Sequence, residues 1–291
     1  MTSPGARPPV APAGATVPEP ILRRLLRLRA DAVLRRRRQV RAVATADSIH
    51  DLRVASRRLQ ELLDLFEPVL PAVETRAVRK RTRRIRRDLN DLRDADILSD
   101  LVADLAGQAH PGERPALLAL ERRLTLRAGR LRGALAHAGR EGVPVKGMRK
   151  RLRLLLEALP PVSLHRLAVA GREGLRRRDR ELRSALGRAR TAAPADLHAL
   201  RIAVKRWRYS LELLQAGGLR RCPKAIAAAR QLQTALGGIH DLDVLIAMVG
   251  KDPATRTLAG GLRRTRMRRV RDLQAGLRTF RGKALAARRA R

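Results

Sequence analysis

The sequence repeats itself. Residues 49–63, IHDLRVASRRLQELL, align without a gap with residues 197–211, LHALRIAVKRWRYSL, at an offset of 148. His50/His198, Leu52/Leu200, Arg53/Arg201, Ala55/Ala203, Arg58/Arg206 and Leu63/Leu211 are identical, and Arg57/Lys205 keeps its charge. Further on, Asp94-Ala-Asp96-Ile-Leu98 matches Asp241-Leu-Asp243-Val-Leu245 at an offset of 147. Two matches at nearly one offset mean a duplicated unit that spans most of the 291 residues. Whatever the chain folds into, it has to accommodate that unit twice.

Each unit reads as helical. Apolar residues recur at helical spacing, and no segment alternates with period two. Helices are expected at about 19–45, 48–67, 72–106 and 113–140, and again at about 163–190, 196–216, 223–249 and 256–287. Breakers separate them, among them Pro68, Pro71, Pro111-Gly112, Pro160-Pro161, Pro194, Gly217-Gly218 and Asp252-Pro253. Asp47 or Ser48, and Asp196, are the natural N-caps of the two matching helices. The expected fold is all-α: two antiparallel four-helix bundles related by a pseudo-twofold axis, with a basic groove or pore at the centre. The expected division is a flexible tail at 1–18, a first bundle at 19–144, a linker with a short helix at 145–162, and a second bundle at 163–291.

Composition narrows the function. Lysine plus arginine is 65 against 27 for aspartate plus glutamate, a formal charge of +38, and 58 of the cations are arginine. Such a surface attracts polyanions. The single cysteine, Cys222, rules out an intramolecular disulfide and fits a reducing compartment. No run approaches the ~20 apolar residues that a membrane span needs, and the first 20 residues lack the apolar core of a signal peptide. The expected location is cytoplasmic.

Basic residues gather on defined helix faces. In the 48–67 helix, Leu52, Ala55, Leu59, Leu62 and Phe66 form the core stripe, while His50, Arg53 and Arg57 share the other side, with Arg58 beside them. The second unit repeats this with His198, Arg201, Lys205, Arg206, Arg208 and Tyr209. In the 72–106 helix, Arg76, Lys80, Arg83 and Arg87 lie opposite Val78, Thr82, Ile85 and Leu89. A histidine in the first turn with arginines behind it suits a phosphate better than a metal, because free N–H groups and the helix dipole favour anions there.

Other chemistries find little support. His50 with Asp94 and Asp96, and His198 with Asp241 and Asp243, are conceivable metal ligands, but no HExxH or CxxC pattern accompanies them and the arginines would repel a cation. The aspartate pairs more naturally orient arginines or cap helix contacts. No Walker A loop, GxSxG or GxGxxG occurs. Glu61 and Glu212 lie near the basic stripes, yet nothing provides the carboxylates that a metal-assisted phosphoanhydride hydrolase uses. No catalytic residue, metal or cofactor is expected.

Taken together, His50-x-x-Arg53-x-x-x-Arg57-Arg58, Arg93-Asp94-x-Asp96, His198-x-x-Arg201-x-x-x-Lys205-Arg206-x-Arg208-Tyr209, Leu232-Gln233-x-x-Leu236-Gly237 and Asp241-x-Asp243-Val244 resemble the CHAD domain, the conserved histidine α-helical domain. The resemblance covers about residues 19–288. It implies two four-helix bundles about a basic groove that binds inorganic polyphosphate, and association with polyphosphate granules. His240 stands where the first unit has Arg93. The Glu-x-Glu-x-Lys signature of CYTH triphosphatases, to which this family is often fused, is absent, so the resemblance implies a stand-alone binding domain. Arginine suits the ligand, since its planar fork donates two hydrogen bonds to one phosphate. Nucleic acid is the alternative partner, expected only as a nonspecific competitor, because the four aromatic residues are too few for stacking platforms. A polyphosphate- or triphosphate-processing enzyme is the second alternative.

Overall fold

The computed structural model describes residues 19–137, 147–251 and 255–289, with side chains followed to residue 277 and at Phe280. The expected tail at 1–18 lies outside the described residues. Every regular element among them is helical: α1 (Ile21–Ala42), α2 (Ala46–Leu65), α3 (Ala72–Asp88), α4 (Asn90–Gly107), α5 (Arg114–His137), α6 (Met148–Glu157), α7 (Leu164–Arg188), α8 (Pro194–Ala216), α9 (Pro223–Val249) and α10 (Ala259–Arg289). Short 3-10 turns follow α2 and α7 and precede α10.

The helix starts are set by chemistry one turn away from that expected. Thr45, rather than Asp47 or Ser48, caps α2, its hydroxyl accepting from the Ser48 N–H at 3.1 Å. Ser48 turns back instead and donates to the Val43 carbonyl at 2.9 Å. In α8 the expected cap Asp196 lies inside the first turn and accepts from the Thr191 hydroxyl at 2.8 Å. Pro194 starts that helix; its fixed φ suits the first position and its missing N–H is no loss there. Asp196 still favours the positive end of the helix dipole.

The expected helix at 72–106 is two helices. The chain breaks at Leu89, which has φ −103° and ψ 6°. The Arg53 guanidinium holds the break, donating at 2.7 Å both to the Arg86 carbonyl in the last turn of α3 and to the Asn90 side chain that opens α4. In the second unit α9 runs unbroken through Leu236-Gly237, the matching positions at the offset of 147, and on through Gly238. There the absent side chain serves packing: a Cβ on Gly238 would stand 2.6 Å from an Arg269 nitrogen, and Arg269 donates to the Gly238 carbonyl at 3.1 Å.

Packing follows the repeat. In the first unit α1 packs on α2, α2 on α3, and α4 on α5; in the second α7 packs on α8, α8 on α9, and α9 on α10. The cores nevertheless join the units. One continuous cluster runs from Leu22 in α1 through Leu52 and Leu59 in α2 to Leu200, Trp207 and Leu211 in α8 and Leu236 in α9. A second cluster at one end combines Leu98 and Val102 of α4, Leu120 and Leu124 of α5, Leu242 and Leu245 of α9, and Leu262 of α10. α6, placed in the linker by its position in the sequence, buries Met148, Leu152 and Leu155 and packs on α3 and α1. α7 crosses close to the end of α2, where a Cβ on Gly174 would sit 2.6 Å from the Leu65 carbonyl oxygen.

Candidate anion-binding site

The site forms where α2 packs on α8. These helices carry the matched histidine motifs, and polar contacts tie the units together beside their meeting. Glu61 of α2 is buried and accepts from Arg178 Nε at 2.6 Å and from the Ser210 hydroxyl of α8 at 2.8 Å. Trp207 fills the core behind α8, its indole N–H donating to Asp179 at 2.7 Å. The faces opposite the core stripes are partly covered by neighbouring helices: His50 and Arg206 stay exposed, while Arg57, His198 and Arg201 are half-buried. Arg53, Lys205, Arg208 and Tyr209 retain only 6%, 8%, 6% and 4% of their surface exposed.

The cations of both units converge on one another. A cavity of about 290 Å³ is lined by Arg57, Arg86, His198, Arg201, Lys205, Arg206 and Tyr209, with Gln60, Glu61, Asp64 and Ile202. Burial and then the charges of Arg57, Arg201 and Arg53 drive the Lys205 ammonium down to about 6, with Asp241 opposing. Burial and the neighbouring Arg57 lower Arg53 to about 10, and burial with Arg57 and Arg83 does the same to Arg86. Arg57 and Arg201 are likewise lowered, chiefly by burial. Two carboxylates oppose this repulsion: Asp94 acts on Arg53, Arg57 and Arg201, and Asp241 acts on Arg201 and Lys205. Burial raises the Asp241 carboxyl, and Asp94 raises it further from the other unit.

Three histidines edge the cluster. His50 is depressed by burial and by Arg93, and His198 by burial, Arg201 and Lys205. His240, the counterpart of Arg93, places its Nδ1 3.3 Å from His198 Nδ1 and is pushed down to about 4 by burial, Arg201 and His198. Near neutral pH the His240 ring then carries no charge, so the second unit offers a neutral imidazole where the first offers Arg93.

The second aspartate of each pair has a different task, and it is the same in both units. Asp96 pairs with Arg132 of α5, which also donates to the Ala44 carbonyl at 3.2 Å. Asp243 pairs with Arg266 of α10, which donates to the Ala192 carbonyl at 3.0 Å. Ala44 and Ala192 lie 148 residues apart, at the entrances to α2 and α8. Each aspartate orients an arginine that fixes the start of the histidine helix, the orienting role suggested by the sequence. Among the described residues no group of three or more His, Cys, Asp or Glu side chains is arranged to hold a metal ion.

This all-helical arrangement matches a known one. The family model of the CHAD domain covers residues 24–250. The chain belongs to the CHAD domain family. Its fold is similar to the crystal structure of the CHAD domain from the plant Ricinus communis, with a TM-score of 0.71 and 24% identity, over 89% of this chain and 90% of that one. It is also similar to PptA from Streptomyces chartreusis, with a TM-score of 0.65 and 18% identity, over 89% of this chain and 97% of that one. No match was found among curated protein sequences.

In this CHAD chain the residues singled out by sequence divide into three groups. His50, Arg53, Arg57, His198, Arg201, Lys205, Arg206 and Tyr209 meet at or around the central cavity. Arg58 and Arg208 turn aside to Glu212, at 3.5 Å and 2.5 Å, and Arg208 lies over the Tyr209 ring at 4.3 Å. Arg76, Lys80, Arg83 and Arg87 stand exposed on α3. Arg83 reaches the cluster through its effect on Arg86, and Arg87 pairs with Asp88 at 3.6 Å. Among the described residues no hydrogen bond or ion pair joins Arg76 or Lys80 to the cavity. Sequence reasoning missed Arg86, and it named Arg93 and His240 in the aspartate motifs without counting them among the site residues. Arg86 follows Ile85 at the edge of the core stripe, and a cation at that edge faces the neighbouring helix, whereas one directly opposite faces solvent.

Proposed function

We propose that this CHAD chain binds inorganic polyphosphate at the cavity between α2 and α8, and that it binds without turning the polymer over. The observation that carries the reading is the excess of cations over carboxylates in the cavity lining. Burial and then the charges of Arg57, Arg201 and Arg53 bring Lys205 down to about 6, with Asp241 opposing, and the Nε–H of Arg201 is buried without a protein acceptor. A bound phosphate would supply the missing acceptors and negative charge. Guanidinium groups meet phosphate with paired hydrogen bonds. We further read the two units as copies of one ancestral unit related by a pseudo-twofold axis, with their histidine helices forming the two walls of a basic groove. The molecule's place is then on polyphosphate granules in the cytoplasm.

Nucleic acid fits less well. Trp207, Phe66 and Phe280 are core residues, and Tyr209 is buried beneath Arg208. None is left to stack on a base. Nucleic acid would bind through charge alone, as a competitor.

Titration with long-chain polyphosphate, duplex DNA and RNA at several salt concentrations tests the reading. Polyphosphate should displace either nucleic acid at far lower phosphate concentration than the reverse. Equal displacement would reduce the protein to a general polycation. Release of phosphate from polyphosphate in the presence of Mg²⁺ or Mn²⁺, lost in Arg57→Ala, would overturn the non-catalytic part.

A further inference from the structure

A second basic cavity lies on the outer side of α2. It measures about 300 Å³, the small end of the range for ligand pockets. It sits between α1 and α2, and Arg29, Arg35, Arg36 and Arg58 line it. Arg57 and Arg58 are successive residues on α2, about 100° apart around the helix, so one serves the central cavity and the other this one. The two cavities share a wall: the Arg58 guanidinium lies 5.8 Å from the centre of the Tyr209 ring, and Tyr209 lines the central cavity.

The cations here exceed their partners. Asp51 is the only carboxylate in the lining, and Arg36 engages it at 3.1 Å. Glu212 behind Arg58 is shared with Arg208 at 2.5 Å and Arg230 at 3.0 Å, leaving Arg58 the longest of the three contacts at 3.5 Å. The Nε–H groups of Arg29 and Arg58 are both buried without a protein acceptor. Burial, followed by the charge of Arg58, draws Arg29 below its ordinary range. An ordinary solvated patch of arginines would leave these N–H groups to water. Among the described residues no aromatic side chain lines the cavity, so nothing there would hold a nucleobase, and the remaining walls are Ala32, Val54, Ala55 and Gln39, which accepts from Arg36 at 2.8 Å.

We propose that the cavity between α1 and α2 is a second anion site, built for a compact inorganic phosphate group with Arg29, Arg35 and Arg58 as its donors. The group is either free pyrophosphate or the end of a polyphosphate chain. Only the latter source rests on the polyphosphate reading given above. The site is tested by calorimetric titration of the whole chain with inorganic pyrophosphate and, separately, with long-chain polyphosphate. Arg35→Glu is the primary variant, because Arg35 is exposed and its replacement leaves the core untouched; Arg29→Gln is the second, with helicity checked by circular dichroism. Pyrophosphate affinity should fall at least tenfold in both variants and change less than twofold in Arg201→Ala. If long-chain affinity falls in the α1 variants as well, the site holds a chain end; if it does not, the site holds the free anion. Saturable pyrophosphate binding that survives both α1 variants, or its complete absence in the unaltered chain, overturns the proposal. Long-chain affinity unchanged in Arg201→Ala would defeat the central-cavity reading alone and leave this one standing.

Discussion

The two halves of the central site use the same motif under different constraints. In the first, Arg53 is tied: it bridges the Arg86 carbonyl and the Asn90 side chain across the α3–α4 break. In the second, its counterpart Arg201 faces Gly237, whose Cβ, were there one, would be 3.9 Å from Arg201 Nε, and that nitrogen has no protein acceptor. The first half places Arg93 where the second places His240, and Arg57 where the second places Lys205. The matched motifs place similar sets of cations in the two halves. Arg53 is held by protein acceptors, whereas Arg201 Nε has none, and on the proposed reading that leaves Arg201 to an anion. Equivalent sequence positions are therefore unequal in their bonding, and the difference lies in what the neighbouring helix offers as acceptor.

The largest effect should separate Arg201 from Arg53. Charge-assisted hydrogen bonds are worth about 1.5–3 kcal/mol before screening, so Arg201→Ala should weaken polyphosphate binding about tenfold or more with little change in melting temperature. Arg53→Ala should instead lower the melting temperature by several degrees, since it strands the Arg86 carbonyl and loosens the break. Equal thermal losses in the two variants would remove the distinction.

Next in size is a pH effect carried by the second half. Lys205 titrates at about 6 in the free protein, and a bound polyanion raises it. Binding then takes up a proton, so affinity is greatest below pH 6 and falls as pH rises towards the bound-state value. For one proton the limit is about tenfold per pH unit. Lys205→Gln should flatten the profile. Because the folded-state value lies below that of an unfolded lysine, the unliganded protein gains stability as pH rises through 6. Lys205→Gln should therefore also raise the melting temperature below that pH, by about 2–4 °C for each kcal/mol recovered.

Much of this was legible in the sequence. The duplicated motif, the helical period and the breakers gave all the helices to within a few residues, except for the break at Leu89. That break depends on a long-range arginine, which no local propensity encodes. The convergence of His50, Arg53, Arg57, His198, Arg201 and Lys205 was legible because the motif repeats. The burial of Arg53 and Lys205 was not, since a helical wheel shows which residues share a face but not how many neighbours cover it. Arg76 and Lys80 show the converse case: they share a face opposite a core stripe, but among the described residues no second helix lies over it and both stay exposed. The Asp96–Arg132 and Asp243–Arg266 pairs join helices whose spacing differs between units, so the offset that revealed the motifs could not align their arginines.

Those pairs give a prediction of near equality. Asp96→Asn and Asp243→Asn each leave a partly buried arginine without its carboxylate, and each should cost about 1.5–3 kcal/mol of stability on denaturant titration. A loss confined to one would mean that the shared geometry is not a shared restraint. The smallest effect should come from His240→Arg, which restores the first half's residue at the matching position. It should raise polyphosphate affinity a few-fold at neutral pH and little at pH 5, where histidines in contact with the polyanion are already protonated.

The central claim is that a built cavity, rather than total charge, recognises the polymer. The direct measurement is the polyphosphate affinity of Arg57→Ala/Arg201→Ala beside the charge-matched Arg127→Ala/Arg130→Ala, whose positions on α5 are exposed, each across a range of salt concentrations. The cavity variant should lose at least tenfold in affinity, and its dependence of log affinity on log salt should become shallower as phosphate contacts disappear. The α5 variant should stay within twofold of the unaltered protein. Equal losses in the two variants would contradict the claim and leave the chain a diffuse polycation.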